Sequence, residues 1–286
     1  MLGLAELLKL RGLDLLKGIK IVRHQDKRYN VQEMLEKGLL EVYQSYQANA
    51  IFDCDYVIST IGAESTKALF HNVYKVIEKK KAKEVQLDGE YIFKELVSEI
   101  VNKDGWYYLL EKVDGFEDLS DRVVIEWGKA TIQWNQHFSR EKDKEVIEIL
   151  PEGYVKEFPG FDKIILSFRE LERIINKPDA NREWKRMLAS VAGVYLILDT
   201  ETGNQYIGSA YGKDGIWGRW SNYIPNGTGG NKMLQDLVNE NESNKYNFQY
   251  SVLKTMAISS IQKEVVDFER LYKNKLGSRA FGLNLN

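Results

Sequence analysis

The last third of the chain gathers the side chains best suited to chemistry. Glu269 offers a carboxylate and Arg219 a guanidinium. Tyr195, Tyr206 and Tyr223 offer phenolic hydroxyls, and Asn284 an amide near the end. Such groups in one cleft would suit hydrolysis of a phosphate diester. The carboxylate would hold a divalent metal ion, and a cation or donor would meet developing negative charge. A phenol has a pKa of about 10, so a metal or cation would have to help it act as a base. Each residue also has a plainer reading. Glu269 stands four residues before Lys273, the spacing of an ordinary helical ion pair worth little. Arg219 suits a surface salt bridge, the tyrosines suit a packed core, and Asn284 suits a structural cap.

The surrounding residues predict the elements that position this set. Val194 to Leu198 reads as an apolar strand, Asp199 to Asn204 as a turn, and Gln205 to Ser209 as the returning strand, with Gly203-Asn204 suited to positive φ. Gly215 to Tyr223 starts a helix that carries Arg219, with Tyr223 at i+4. Trp217 and Trp220 flank Arg219, an arrangement that would orient its guanidinium for two-donor contact with a phosphate. Asn226 to Gly230 is a loop, Lys232 to Glu240 a second helix, and Phe248 to Lys254 a third strand. Ser259 with Gln262 would cap a long helix with a buried stripe of Ile261, Val265, Phe268 and Tyr272, ended by Gly277. Glu269 falls at the edge of that stripe, where a carboxylate is held firmly yet can reach a cleft.

Upstream, the texture is different. Met1 to Leu16 has leucine spacing that suits a helix with a wide apolar face, and VQEMLEK at 31–37 suits a short helix ended near Gly38. Asp55 to Thr60, His71 to Val76, Trp106 to Glu111, Val123 to Glu126 and Ala130 to Trp134 are strand candidates, and Glu78 to Lys83 a charged loop or strand edge. Residues 165–190 read as helical on both sides of Pro178, with Ser167 and Glu170 in capping-box spacing. The boundary between domains is placed between about 175 and 190, or else this helical segment packs on one domain and acts as a rigid connector. The fold class expected is α/β in the α+β sense. It has a β-rich N-terminal domain (1–180) with a helical start, then a C-terminal domain (190–286) with a small three-stranded antiparallel sheet flanked by helices.

Composition sets limits. The chain has 286 residues, 29% of them charged, and a formal net charge of -2, so any nucleic-acid surface must be a local basic patch. The single cysteine, Cys54, excludes a disulfide within the chain and argues against a cysteine zinc site, which suits a reducing cytoplasm. Charges at Glu6, Lys9, Arg11, Asp14 and Lys17 make the N-terminal stretch amphipathic and neither a signal peptide nor a membrane span.

Gly193-Val194-Tyr195 and Tyr206-Ile207-Gly208 on paired strands, then Arg219, Tyr223, Glu269 and Asn284 in that order, resemble the GIY-YIG nuclease family from Gly193 to Asn286. Ala210 to Tyr223 and Leu276 to Asn286 look most like its restriction-type and bacterial defence branch. The resemblance implies a metal-dependent endodeoxyribonuclease that takes Mg²⁺ (or Mn²⁺) on Glu269. It implies Arg219 on the scissile phosphate, Tyr206 as general base with Tyr195 in support, Tyr223 where relatives carry His or Tyr, and Asn284 bonding within the site. The partner implied is double-stranded DNA, modified or not, cut by a homodimer where both strands are broken. Lys213, Lys232, Trp217 and Trp220 are candidate DNA contacts, although lysines are more often plain surface. Val194 replaces Ile, and Ser209 stands where some relatives have a basic residue. The N-terminal domain would select a sequence or a modified base, with Trp106, Tyr107, Tyr108, Trp127 and Trp134 either lining a base pocket or filling a β-core. Lys79, Lys80, Lys81 and Lys83 would touch phosphates or form a solvated edge. Other readings are a repair, branched-DNA or RNA nuclease, and a nucleic-acid-binding protein without activity.

Overall fold

The computed structural model describes residues 2–26, 28–36, 38–85, 94–129 and 133–284, and the chain forms two compact units, Met1–Leu150 and Pro151–Asn286. The division falls ahead of the expected 175–190. The two helices on either side of Pro178 bury Phe168, Leu171, Ile174, Trp184 and Leu188 in the core of the second unit, so they belong to it. Among the described residues no helix is long and apolar enough to cross a membrane.

The first unit contains β1 (Ile19–His24), β2 (Tyr46–Gln47), β3 (Tyr56–Gly62), β4 (Lys67–Lys81), β5 (Trp106–Lys112), β6 (Val123–Glu126), β7 (Asn135–His137) and β8 (Val146–Ile149). Its helices are α1 (Leu4–Leu10), α2 (Val31–Glu36), α3 (Leu40–Ser45) and α4 (Lys94–Asn102). The strands form one sheet ordered β2-β5-β4-β3-β1-β7, with β6 joined to β4 and β8 to β6. β1 pairs parallel with β3, and five of its six residues are buried, as expected of a strand covered on both faces. Of the two readings of Glu78 to Lys83, the strand holds as far as Lys81, because the distal half of β4 pairs with β5. α1 is shorter than expected. Gly12 takes φ 96°, and Leu16 beyond it is 96% exposed. α2 ends before Gly38, whose φ of 67° fits the expected stop. Of the expected strand at 130–134, residues 130–132 lie outside the described ones, and Gln133 and Trp134 precede β7.

The second unit contains β9 (Leu166–Ser167), β10 (Val191–Asp199), β11 (Gln205–Ala210) and β12 (Phe248–Ala257). Its helices are α5 (Phe168–Asn176), α6 (Arg182–Ala189), α7 (Gly215–Ser221), α8 (Lys232–Glu240), α9 (Gln262–Leu276) and α10 (Ser278–Phe281). The sheet is antiparallel in the order β11-β10-β12-β9. It has four strands and not three, because the short segment before α5 pairs with β12 at Tyr250 and Gln249. Ser167 and Glu170 form the expected capping box at the start of α5. The box expected from Ser259 and Gln262 is absent: Ile261 occupies the N-cap with no side-chain cap and is 61% exposed, so the stripe of α9 begins at Val265. Gly277 ends α9 in the left-handed conformation, φ 65°.

His24, at the end of β1, is 3% exposed, and burial pushes its pKa down from 6.5 to about 4, outweighing its hydrogen bond with Gln44. Between those values the unfolded chain binds a proton that the folded chain does not. The contribution to stability is therefore complete above about pH 6.5 and lost as pH falls toward 4. Urea unfolding across this window should show stability falling with acidity by up to about 3 kcal/mol, and His24→Gln should flatten the slope.

Candidate active site

The two glycines of the paired tripeptides are dictated by packing. A Cβ on Gly193 would strike the backbone carbonyl oxygen of Lys254 on β12, beside the irregular register at Val194/Tyr195. A Cβ on Gly208 would lie 2.5 Å from Cζ of Tyr195, its partner across the β10–β11 ladder. The missing side chain is the space into which the Tyr195 ring lies. Tyr206 faces Ile197 in the same ladder, which puts Tyr195, Tyr206 and Gly208 on one face of the hairpin.

Tyr195 is fully buried, and its hydroxyl joins two other groups. It lies 2.8 Å from the Tyr223 hydroxyl and accepts from Nε of Arg219 at 3.1 Å. Tyr223 is itself buried, just past the end of α7, and the Arg219 guanidinium lies 5.3 Å from the centre of its ring. Burial raises the pKa of Tyr195 and of Tyr223 well above the ordinary phenol value, so both stay neutral donors and acceptors. Burial works against the charge of Arg219, but the tyrosine hydroxyls around it outweigh that effect and hold it a cation. Nε makes its one hydrogen bond among the described residues, which leaves the terminal nitrogens for a ligand.

A cleft of about 660 Å³ opens beside this cluster, lined by Tyr206, Ser209, Lys213, Asp214, Arg219 and Glu269 among others. Glu269 lies on α9 and is partly buried. Lys273 Nζ sits 2.7 Å from its Oε1, and the Ser209 hydroxyl donates to its Oε2. The helical ion pair that the spacing allowed therefore exists, but its side chains are only 9% and 17% exposed, so it is a largely buried pair whose Glu269 lines the cleft. Tyr206 is the only one of the three tyrosines that lines the cleft. Tyr195 and Tyr223 form the support beneath it.

Other candidates fall elsewhere. Asn284 is 5% exposed and spends its amide on the backbone of Ile207: Oδ1 accepts from N at 2.9 Å and Nδ2 donates to O at 2.8 Å. It pins the strand that carries Tyr206 and Ser209 and does not line the cleft. Trp220 is fully buried against Tyr195 and Tyr250, so it is not open to a ligand, and Trp217 packs against the same core. Arg219 is thus oriented by tyrosines and not by the flanking tryptophans. Lys213 borders the cleft; Lys232 is exposed at the start of α8 and does not. Ser209 as the partner of Glu269, and Asp214 in the lining, were not legible as site residues, because each depends on which element packs opposite.

Among the described residues no three His, Cys, Asp or Glu side chains cluster as a metal cage. A magnesium ion does not need one. It is commonly held by one or two carboxylates, with water and substrate phosphates completing the shell. One firmly held carboxylate in an open polar cleft fits that mode.

No family profile and no curated protein matches the chain. Two solved structures resemble part of it. The catalytic domain of the homing endonuclease I-TevI is 23% identical, with 33% of this chain and 98% of that one covered, at a TM-score of 0.27. A glutamate-to-alanine mutant of the same catalytic domain is 20% identical over 34% of this chain and 94% of that one, also at 0.27.

Gly208→Ala should force the Tyr195 ring to move and destabilise the protein by about 1–3 kcal/mol. Tyr195→Phe should cost a similar 1–3 kcal/mol, roughly, by leaving Tyr223 and Arg219 without their shared hydrogen-bond partner. Urea midpoints equal to wild type for both would contradict this account of the buried cluster.

Proposed function

We propose that the second unit is a GIY-YIG-type endonuclease that hydrolyses phosphodiester bonds in DNA with a divalent metal ion, Mg²⁺ or Mn²⁺. The observation that carries this reading is the convergence of Tyr206, Arg219 and Glu269 on one open cleft, with the arginine fixed from behind by Tyr195 and Tyr223. Phosphoryl chemistry needs preorganised positive charge aimed at the phosphate oxygens, and a cation with one donor anchored and its terminal donors free supplies it. Glu269 would hold the ion, whose presence would polarise the phosphate and acidify a bound water. Tyr206 would position the attacking water or receive its proton, since it alone of the three phenols reaches the cleft. Ser209 and Lys273 hold the Glu269 carboxylate in one orientation. A separate unit ahead of the nuclease unit suits target selection by the former and cutting by the latter, as in restriction-type and defence enzymes. Breaking both strands would call for two copies on DNA.

Plasmid and phage DNA, unmodified, methylated and hydroxymethylated, should be cut in the presence of Mg²⁺ and spared in EDTA. Branched DNA and RNA in the same panel test the competing substrates. Glu269→Ala and Arg219→Ala should each lower the cleavage rate by about 100-fold or more while leaving DNA binding largely intact. Wild-type rates in either variant would remove that residue from the mechanism, and intact DNA throughout the panel would sink the nuclease reading.

A further inference from the structure

The first unit has a cleft of about 250 Å³ at the end of β1, bordered by Gln25, Gln47 and Trp134 together with Arg23, Asp26 and Arg28. It is smaller than the roughly 300–1,000 Å³ pockets that hold drug-sized ligands, so it suits a single ring system. Its cationic donors are already engaged. Arg23 is 2% exposed: Nη1 donates to Gln25 Oε1, while Nε and Nη2 donate to the carbonyls of Ala63, Ser65 and Lys67 at 3.1–3.2 Å. Arg28 is paired with Asp26 at 3.1 Å and Glu99 at 3.3 Å, and Tyr43 donates to the same Asp26. Among the described residues a phosphate would find no uncommitted cation here.

The two carboxamides are left with opposite capacities. A guanidinium can only donate, so its bond to Oε1 fixes the orientation of Gln25 and leaves the NH₂ group as a donor. Gln47 Nε2 donates to the Gln44 carbonyl at 2.8 Å, a group that can only accept, and its own Oε1 remains an acceptor. Trp134, half-buried, adds an aromatic surface to the same wall. An apolar ligand would leave both amides unpaired, whereas a neutral planar heterocycle with neighbouring acceptor and donor atoms would satisfy them.

We propose that this cleft binds one nucleobase, its hydrogen-bonding edge on Gln25 and Gln47 and its ring stacked on Trp134. The chemistry fits a base extruded from DNA or a free nucleoside. The assignment of DNA as the source rests on the nuclease reading above. Extrusion costs a few kcal/mol, least at a mismatch, and is offset by edge contacts and stacking in the pocket.

The test uses the full chain in EDTA, so that binding is separated from cutting. Short duplexes with 2-aminopurine in a mismatch should brighten when the wild-type protein binds. Trp134→Ala and Gln47→Met, checked for wild-type melting, should each weaken that signal about tenfold. Free nucleosides titrated by calorimetry form the second arm. Brightening lost in the variants supports a base carried by DNA. Nucleoside binding lost in the variants, without brightening, supports the cleft's chemistry with a free ligand. Brightening and nucleoside binding that are both absent, or both unaffected by the variants, overturn the proposal. Cleavage measured in parallel with Mg²⁺ keeps the two readings apart. Wild-type cutting with a cleft indifferent to bases refutes only this inference, and variant-sensitive base binding without any cutting refutes only the nuclease.

Discussion

The Tyr195 hydroxyl lies where no water reaches, so it must find its hydrogen bonds within the protein. It finds them in Tyr223 and Arg219, and that requirement fixes much else. The ring needs the room that Gly208 leaves. Tyr223 must lie just past α7, with Gly229, φ 54°, close against its ring. Arg219 must approach along one edge only, which aims the remainder of its guanidinium outward. A phenylalanine at 195 would fill nearly the same space and leave Arg219 Nε without its acceptor.

The acidic side of the cleft follows a different logic. Glu269 sits on α9 and Ser209 on β11, so their contact holds only while that helix packs on that strand. β11 is an edge strand, and its free side is closed by the tail: Leu283 donates to Gln205, and Asn284 to and from Ile207. The amide near the end of the chain therefore acts at a distance, by holding the strand on which the cleft is built. Lys273 beside Glu269 offsets the cost of partly burying a carboxylate, which one partner alone would leave underpaired.

In the first unit, aromatic richness reflects core building. Tyr108 and Trp127 are buried, Tyr107 packs at a tilt against Tyr46, and Trp106 is covered by the ammonium groups of Lys79 and Lys81 at 4.2 and 3.8 Å. Lys79, Lys80, Lys81 and Lys83 pair with Asp53, Glu78 and Asp104, the last shared by Lys81 and Lys83, which weakens the basic patch that their run suggests. Of the aromatic candidates, Trp134 borders two open clefts.

Most local elements of the second unit were legible in the sequence. Strand alternation, the turn at Gly203, the capping box at Ser167 and the stop at Gly277 depend on neighbours within a few residues, and such signals survive without tertiary context. It also named the cluster, since Tyr195, Tyr206, Arg219, Tyr223 and Glu269 all meet on or beneath one cleft. Tertiary structure decided what each residue does there. It sent Trp220 inward and Asn284 to the backbone, brought Ser209 to Glu269, and moved the helices around Pro178 into the second unit. Those outcomes depend on groups far apart in the chain competing for the same buried space and the same hydrogen bonds, and no local pattern records which of them wins.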